Sequence, residues 1–276
     1  MGQQAKGVDE FGPIVTVDWL RARLGTERLV VVDARPPRAY LQGHIAGARN
    51  SDVYALKLAD SREATMGAWA ERSIGELRRL GIRAGDHVIF YEDISGTTAA
   101  RGVWMMDALG IGNAAILDGG WAAWRAANGE AGTGSPDAAD PGDVVAAPDR
   151  SVLATADEIL AALGGDPPGI RVVDTRAREE WDDGTIPTAI HLEWSETLNP
   201  DGTFLSLDEL RRRFRWQGID LQDERPVVTF CASGYRAAHA YVALRALGVP
   251  AMNYAPSWNE WSRRGDLPIV RPAAER

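Results

Sequence analysis

Cys231 is the single cysteine of a 276-residue chain. It closes the apolar run Pro226-Val227-Val228-Thr229-Phe230 and opens the segment Cys231-Ala232-Ser233-Gly234-Tyr235-Arg236. Ala237 to Leu244 follows with helical character. The thiol therefore falls where a buried strand turns, through a short glycine-containing loop, into a helix. The amides of such a loop converge and the helix N-terminus adds partial positive charge, so the place favours an anion. A thiolate there is expected to have a depressed pKa and to be nucleophilic near neutral pH. A lone cysteine can also be a small buried hydrophobe. Its position between strand and helix is what argues for chemistry on sulfur.

The neighbouring residues have candidate roles, each with a plainer alternative. Gly234 lets the loop turn inward so that amides face the sulfur. Ser233 is a candidate hydrogen-bond donor to a substrate carboxylate or to the sulfur, or a cap of the following helix. Arg236 is a candidate contact for an anionic substrate, or an ion pair with Asp174 or Glu180 that holds the loop. Arg178 is a candidate anion contact, or a solvated surface arginine. His239 reads as a helix-face residue, because a preformed thiolate requires no general base. Asp174 and Arg176 read as braces of a strand end, and Trp258 and Trp261 as packing.

Composition narrows the function classes. A hydrophobic content of 45% and a charged content of 25% describe a globular chain with a sizeable core. The formal charge of −9 argues against nucleic acid as a partner. No run approaches the ~20 apolar residues of a membrane span, and Met1 to Lys6 lack the features of a signal peptide. One cysteine forms no internal disulfide, which fits a reduced, cytoplasmic setting. The four histidines (His44, His87, His191, His239) show no close ligand spacing, and one cysteine builds no thiolate site, so no metal is expected.

The elements that must position Cys231 are visible in a repeat. Leu29-Val30-Val31-Val32-Asp33-Ala34-Arg35 matches Ile170-Arg171-Val172-Val173-Asp174-Thr175-Arg176. Gly43 to Ala48 matches Gly184 to Ala189, and Val88-Ile89-Phe90-Tyr91 matches Val227-Val228-Thr229-Phe230. Ala108 to Ile111 matches Ala246 to Val249, and Trp121 and Trp124 match Trp258 and Trp261. The period of about 140 residues is a domain duplication, not a solenoid with units of roughly 20–50 residues. Between the halves, Ala127 to Ser151 is rich in Gly, Pro, Ala and Asp, including Gly132-Thr133-Gly134-Ser135-Pro136-Asp137, and reads as a linker. Thr155-x-x-Glu158 and Ser206-x-x-Glu209 are capping boxes ahead of helical runs. Alternation of short buried strands with helices predicts a parallel α/β sheet in each half. Ligands of such sheets bind beyond the carboxyl ends of the strands, where Cys231 lies.

Together, Val172-Val173-Asp174-Thr175-Arg176, Gly184-x-Ile186-Pro187-x-Ala189, the loop Cys231 to Arg236 and Tyr254-Ala255-Pro256-Ser257-Trp258-Asn259-Glu260-Trp261 resemble the tandem-domain rhodanese family of thiosulfate and 3-mercaptopyruvate sulfurtransferases. The resemblance runs from about Val15 to Arg271. It implies an α/β fold of two tandem rhodanese-like domains, each a parallel sheet flanked by helices: a catalytically silent domain over 12–126, a linker over 127–151 and a catalytic domain over 152–272. It also implies transfer of a sulfane sulfur from thiosulfate to cyanide or a thiol through a persulfide on Cys231. Ala232, Ser233, Gly234, Tyr235, Arg236 and Arg178 are then the expected substrate-binding residues. No cofactor is implied, and thioredoxin or a sulfur-accepting protein is an implied cellular acceptor. In the first half an acid, Asp93 or, with one inserted residue, Glu92, stands opposite Cys231 and cannot relay sulfur.

The chain departs from the family pattern in two places. Thiosulfate-type members usually carry a cation where Ser233 stands, and a donor-binding arginine is expected where Glu180 stands. Those departures keep 3-mercaptopyruvate, and a persulfide carrier with poor small-donor turnover, as alternatives. A phosphatase or arsenate reductase on the same fold needs the longer C-x-x-x-x-x-R loop. Only four residues separate Cys231 from Arg236.

Overall fold

In a computed structural model the structure describes residues 12–134, 139–166 and 168–272. Met1 to Lys6 and the Ser135-Pro136-Asp137 stretch of the linker lie outside the described residues. The first half contributes β1 (Ile14–Val15), β2 (Leu29–Asp33), β3 (His44–Ile45), β4 (Arg49–Asn50), β5 (His87–Tyr91), β6 (Ala114–Leu117) and β7 (Ala131–Gly132). The second contributes β8 (Arg171–Asp174), β9 (Ile190–His191), β10 (Val227–Phe230) and β11 (Ala251–Asn253). The helices are α1 (Val17–Arg21), α2 (Pro37–Gln42), α3 (Glu63–Arg79), α4 (Thr97–Ala108), α5 (Gly120–Ala126), α6 (Ala156–Leu163), α7 (Arg178–Asp183), α8 (Leu207–Trp216), α9 (Tyr235–Ala246) and α10 (Ser257–Trp261).

The first sheet runs β1-β6-β5-β2-β4 and the second β11-β10-β8-β9, and every pairing within them is parallel. The second sheet also has a single parallel bridge, Leu153 to Asn253, where the first has β1. Their central strands are buried along nearly their whole length, which is why they read as continuous apolar runs rather than alternating ones. Both capping boxes form: Thr155 and Glu158 close the start of α6, and Ser206 and Glu209 that of α8.

The duplication is folded back on itself. One apolar cluster includes Val32, Phe90, Val103 and Trp104 from the first half and Val173, Phe214, Tyr241 and Leu244 from the second. Helices α4 and α9 pack against one another at its centre. Neither has a polar face, since the stretches Ala99 to Ala108 and Ala237 to Leu244 are buried throughout, as befits helices enclosed on all sides. Polar groups tie the same interface. Asp107 accepts from Tyr241 Oη at 2.9 Å and from Arg245 at 2.6 Å, and Glu260 accepts from the Ser61 amide and hydroxyl at 2.9 and 3.0 Å.

The described part of the Ala127–Ser151 segment lies along the first half. Strand β7 pairs antiparallel with β3, Val144 is buried, and the Gly142 and Ala147 amides donate to Arg78 and Leu109 carbonyls at 2.7 and 2.8 Å. It lacks periodicity because it is anchored by isolated backbone bonds rather than by one apolar face. Among the described residues no helix is long and apolar enough to cross a membrane.

Candidate active site

The register of the central strands places the loop. Asp174 on β8 is level with Phe230, the last residue of β10, and Cys231 follows directly. Cys231 is 1% exposed. Its sulfur accepts a hydrogen bond from the Gly234 amide at 3.1 Å. Gly234 has φ of +84° and is the N-cap of α9, so the left-handed residue both closes the turn and begins the helix. A Cβ there would lie 2.4 Å from the Ala255 carbonyl oxygen. The Asn253 side-chain amide donates to the Gly234 carbonyl at 3.0 Å and fixes the turn from below.

A second support is not legible in residue types. The Ser257 hydroxyl accepts from the Cys231 amide at 3.1 Å while donating to the Tyr254 carbonyl at 2.7 Å. Trp258 and Asn259 amides then donate to the Cys231 and Ala232 carbonyls, both at 3.0 Å. The start of α10 therefore holds the first two residues of the loop. In the sequence the Tyr254 to Trp261 stretch carries the signal, but there it reads as a mark of kinship rather than as a clamp.

The expected substrate-binding residues divide. Ala232 and Ser233, which follow Cys231 in the loop, are partly exposed. Ser233 does not cap α9, because Gly234 holds the cap position and no side-chain cap bond is made. Tyr235 does not present its phenol to a substrate: the ring is buried and its hydroxyl donates to the Tyr54 carbonyl at 3.0 Å, across to the first half. Arg236 pairs with Glu180 at 2.5 and 3.0 Å, not with Asp174. The Asp174 oxygens are already taken by Arg176 and by Thr185 Oγ1. Glu180 holds the Arg236 guanidinium above its ordinary range, the nearby Cys231 sulfur adding to the effect. Arg178, half exposed, pairs with Asp182 one turn along α7 at 3.0 Å. Asp174 and Arg176 brace the strand end as expected, with Arg176 also donating to the Gly184 carbonyl at 2.6 Å and lying 4.3 Å from the Trp258 ring centroid.

The register also settles which acid stands opposite Cys231. Asp33 is level with Tyr91 as Asp174 is with Phe230, so Glu92 is the counterpart. The carbonyls agree: Trp121 and Ala122 amides donate to Glu92 and Asp93 as Trp258 and Asn259 do to Cys231 and Ala232. The first loop is one residue longer. The Glu92 carboxylate turns back onto the start of α4 and accepts from the Thr98 and Ala99 amides at 2.7 and 3.2 Å. Burial raises its pKa, and those bonds oppose the rise.

His239 has no exposed helix face to occupy. It is fully buried, with Nδ1 3.2 Å from Thr197 Oγ1, its ring stacked on Phe204 at 4.5 Å and Trp194 edge-on at 5.2 Å. Burial pushes its pKa down to about 3, so the ring is neutral near neutrality. An unfolded histidine takes a proton near 6.5. Stability is therefore lost as pH falls from 6.5 towards 3, by about 1.4 kcal/mol per pH unit from this group. A His239→Gln variant is expected to be less stable than the wild type at about pH 7.5, with the deficit shrinking by about pH 4.5 in urea titrations. A deficit independent of pH would contradict a neutral buried ring.

The rhodanese-like domain model matches residues 16–127 and again 155–264. The chain belongs to the rhodanese-like family. Among its relatives, the probable 3-mercaptopyruvate sulfurtransferase of Pseudomonas aeruginosa is 34% identical, over 93% of this chain and 97% of the relative. The thiosulfate sulfurtransferase of Azotobacter vinelandii is 28% identical, over 91% of this chain and 94% of that protein. The crystal structure of SseA from Escherichia coli, a 3-mercaptopyruvate sulfotransferase by its description, superposes with a TM-score of 0.78 at 26% identity, covering 90% of this chain and 99% of SseA. Both rhodanese-like domains of the present chain are thus accounted for, and it stands with the rhodanese-type transferases of sulfur-containing groups.

Proposed function

We propose that the chain moves a sulfane sulfur from thiosulfate to a thiophilic acceptor through a persulfide on Cys231. The observation that carries this reading is the Gly234 amide directed at the Cys231 sulfur from a left-handed turn at the carboxyl end of β10. A fixed donor of that kind favours negative charge on sulfur in both resting and loaded forms.

In the first step the Cys231 thiolate attacks the outer sulfur of thiosulfate. A new S–S bond forms, the bond to the sulfonate sulfur breaks, and sulfite leaves with its electron pair. In the second step the acceptor, cyanide or a thiolate, attacks the terminal sulfur and the Cys231 thiolate departs. This is ping-pong covalent catalysis. Arg236, paired with Glu180, braces the loop and adds positive charge near the sulfur, and Ser233, partly exposed in the loop, is a side chain that can contact the donor. Thioredoxin or another thiol protein fits the acceptor role by chemistry. One cysteine and a partner that must reduce the persulfide fit a cytoplasmic setting.

A second donor is supported by a specific residue. Ser233 is neutral where a doubly charged sulfonate would gain from a cation, and a hydroxyl suits the carboxylate and carbonyl of 3-mercaptopyruvate. With that donor the C–S bond breaks and pyruvate leaves after taking up a proton. Intact mass after separate exposure to each donor tests both. Gain of one sulfur atom, reversed by cyanide, is expected with thiosulfate. Faster loading by 3-mercaptopyruvate would reassign the donor, and no gain with either would sink the small-donor reading in favour of a persulfide carrier.

A further inference from the structure

Arg101 lies in the middle of α4, on the domain that has no cysteine, and is 1% exposed. Among the described residues neither Nη1 nor Nη2 has a hydrogen-bond partner. A cation withdrawn from water and left unpaired is among the most destabilising groups a core can hold. The compensation in view is aromatic, with the guanidinium carbon 4.1 Å from the Trp104 ring centroid and 5.3 Å from that of Tyr235. Burial lowers its pKa to about 10, which still leaves it charged near neutrality.

The side chain reaches across to the second domain. Nη1 lies 2.8 Å from the point a Cβ on Gly234 would occupy, directly behind the turn whose amide holds the Cys231 sulfur. The titratable groups that act on Arg101 are Tyr235 and Cys231. Tyr235 cannot supply a negative charge, since burial pushes its phenol up to about 12. Of the other charges at the loop, Glu180 is paired with Arg236 at 2.5 Å, and Arg236 itself also acts on the sulfur from the loop side. That leaves the sulfur of Cys231.

The duplication supplies an independent argument. Arg101 stands five residues after the cap glycine Gly96, and His239 stands five after the cap glycine Gly234. The two are equivalent, and they point in opposite directions across the interface. His239 faces the Ser95 backbone of the first loop, where the Glu92 carboxylate is already satisfied by its own helix. It is neutral. Arg101 faces the loop that holds sulfur, and it is a cation. The charge at each crossing position matches what the opposite loop requires.

We infer that Arg101, supplied by the first domain, is a second counter-charge of the Cys231 sulfur, beside Arg236, in its thiolate and persulfide forms, and thus a positioning residue for sulfur transfer. No bond to Arg101 forms or breaks; it acts through the field behind the loop. The inference rests on the reading of Cys231 as the sulfur-carrying nucleophile. It also makes the first domain, though it carries no cysteine, part of the site.

The full-length wild type is compared with Arg101→Met and Arg101→Lys in melting temperature, in alkylation of Cys231 by uncharged iodoacetamide near pH 7, and in sulfur loading by mass. The methionine variant is expected to melt no lower than the wild type, because an apolar side chain of similar volume replaces a buried charge. Its alkylation near pH 7 is expected to fall about tenfold or more, with loading slowed in parallel. Lysine is expected to restore most of both. A methionine variant that alkylates and loads at wild-type rates overturns the inference, and so does one that only melts lower. Should methionine not fold, Arg101→Gln carries the same comparison. If the wild type loads and the variant loads equally, only the role of Arg101 falls. If the wild type itself neither alkylates nor gains sulfur, the reading of Cys231 falls and the inference with it.

Discussion

A Cys231→Ser variant is expected to gain no sulfur from thiosulfate or from 3-mercaptopyruvate, and its cyanide-linked turnover to fall by about 10³-fold or more. The size of the effect follows from the chemistry. A serine hydroxyl is un-ionised near neutrality, and oxygen offers no route to a persulfide. The chain holds no second cysteine that could take over. The fold should be spared, since a hydroxyl can still accept from the Gly234 amide that now meets the sulfur at 3.1 Å. Intact mass and a melting curve on the same preparation separate the two effects. Retained mass gain in a folded serine variant would place the transferred sulfur elsewhere and remove Cys231 from the mechanism.

The second large effect is expected from Gly234→Ala. At φ of +84° an L side chain is strained, and the added Cβ would stand 2.4 Å from the Ala255 carbonyl oxygen and 2.7 Å from its Cα. Neither backbone atom is a flexible chain end, so the turn itself must open. The expected loss is about 2–4 kcal/mol of stability, read from urea unfolding. Opening withdraws the amide from the sulfur, and persulfide loading should slow by roughly 10–100-fold. Loading and stability both at wild-type level would mean that the turn contributes neither order nor charge stabilisation.

Cys231 and Gly234 are legible in the sequence alone, and the reason is local. Cysteine, glycine and the switch from a buried strand to a helix lie within a few positions, so short-range pattern carries the information. The duplicated Val-Val-Asp-x-Arg stretches likewise announce two parallel sheets, because strands buried on both faces leave an unbroken apolar run. What stays hidden depends on contacts far apart in the chain. Arg101 sits in the run Ala99-Ala100-Arg101-Gly102-Val103-Trp104, where nothing adjacent tells its direction; only alignment of the two cap glycines pairs it with His239. Ser257 takes a positive φ of 58° to clamp the loop from 26 residues away, a geometry that residue type does not announce. Glu180 is recognisable as a candidate partner of Arg236, but the choice between it and Asp174 is decided by Arg176 and Thr185, which consume the aspartate. The choice between Glu92 and Asp93 needs strand register, which ungapped alignment cannot supply when one loop carries an extra residue.

The carboxylate of Glu92 has a consequence for stoichiometry. In the second domain the turn before the helix leaves its inner berth to a side-chain sulfur. In the first, the chain fills the corresponding berth with a carboxyl group of its own, already bonded to the Thr98 and Ala99 amides. An external anion would have to evict a covalently tethered competitor present at very high local concentration. The duplicated architecture is thus expected to be single-valent: one sulfur per chain, so that the sulfur loaded at saturation would count molecules rather than domains.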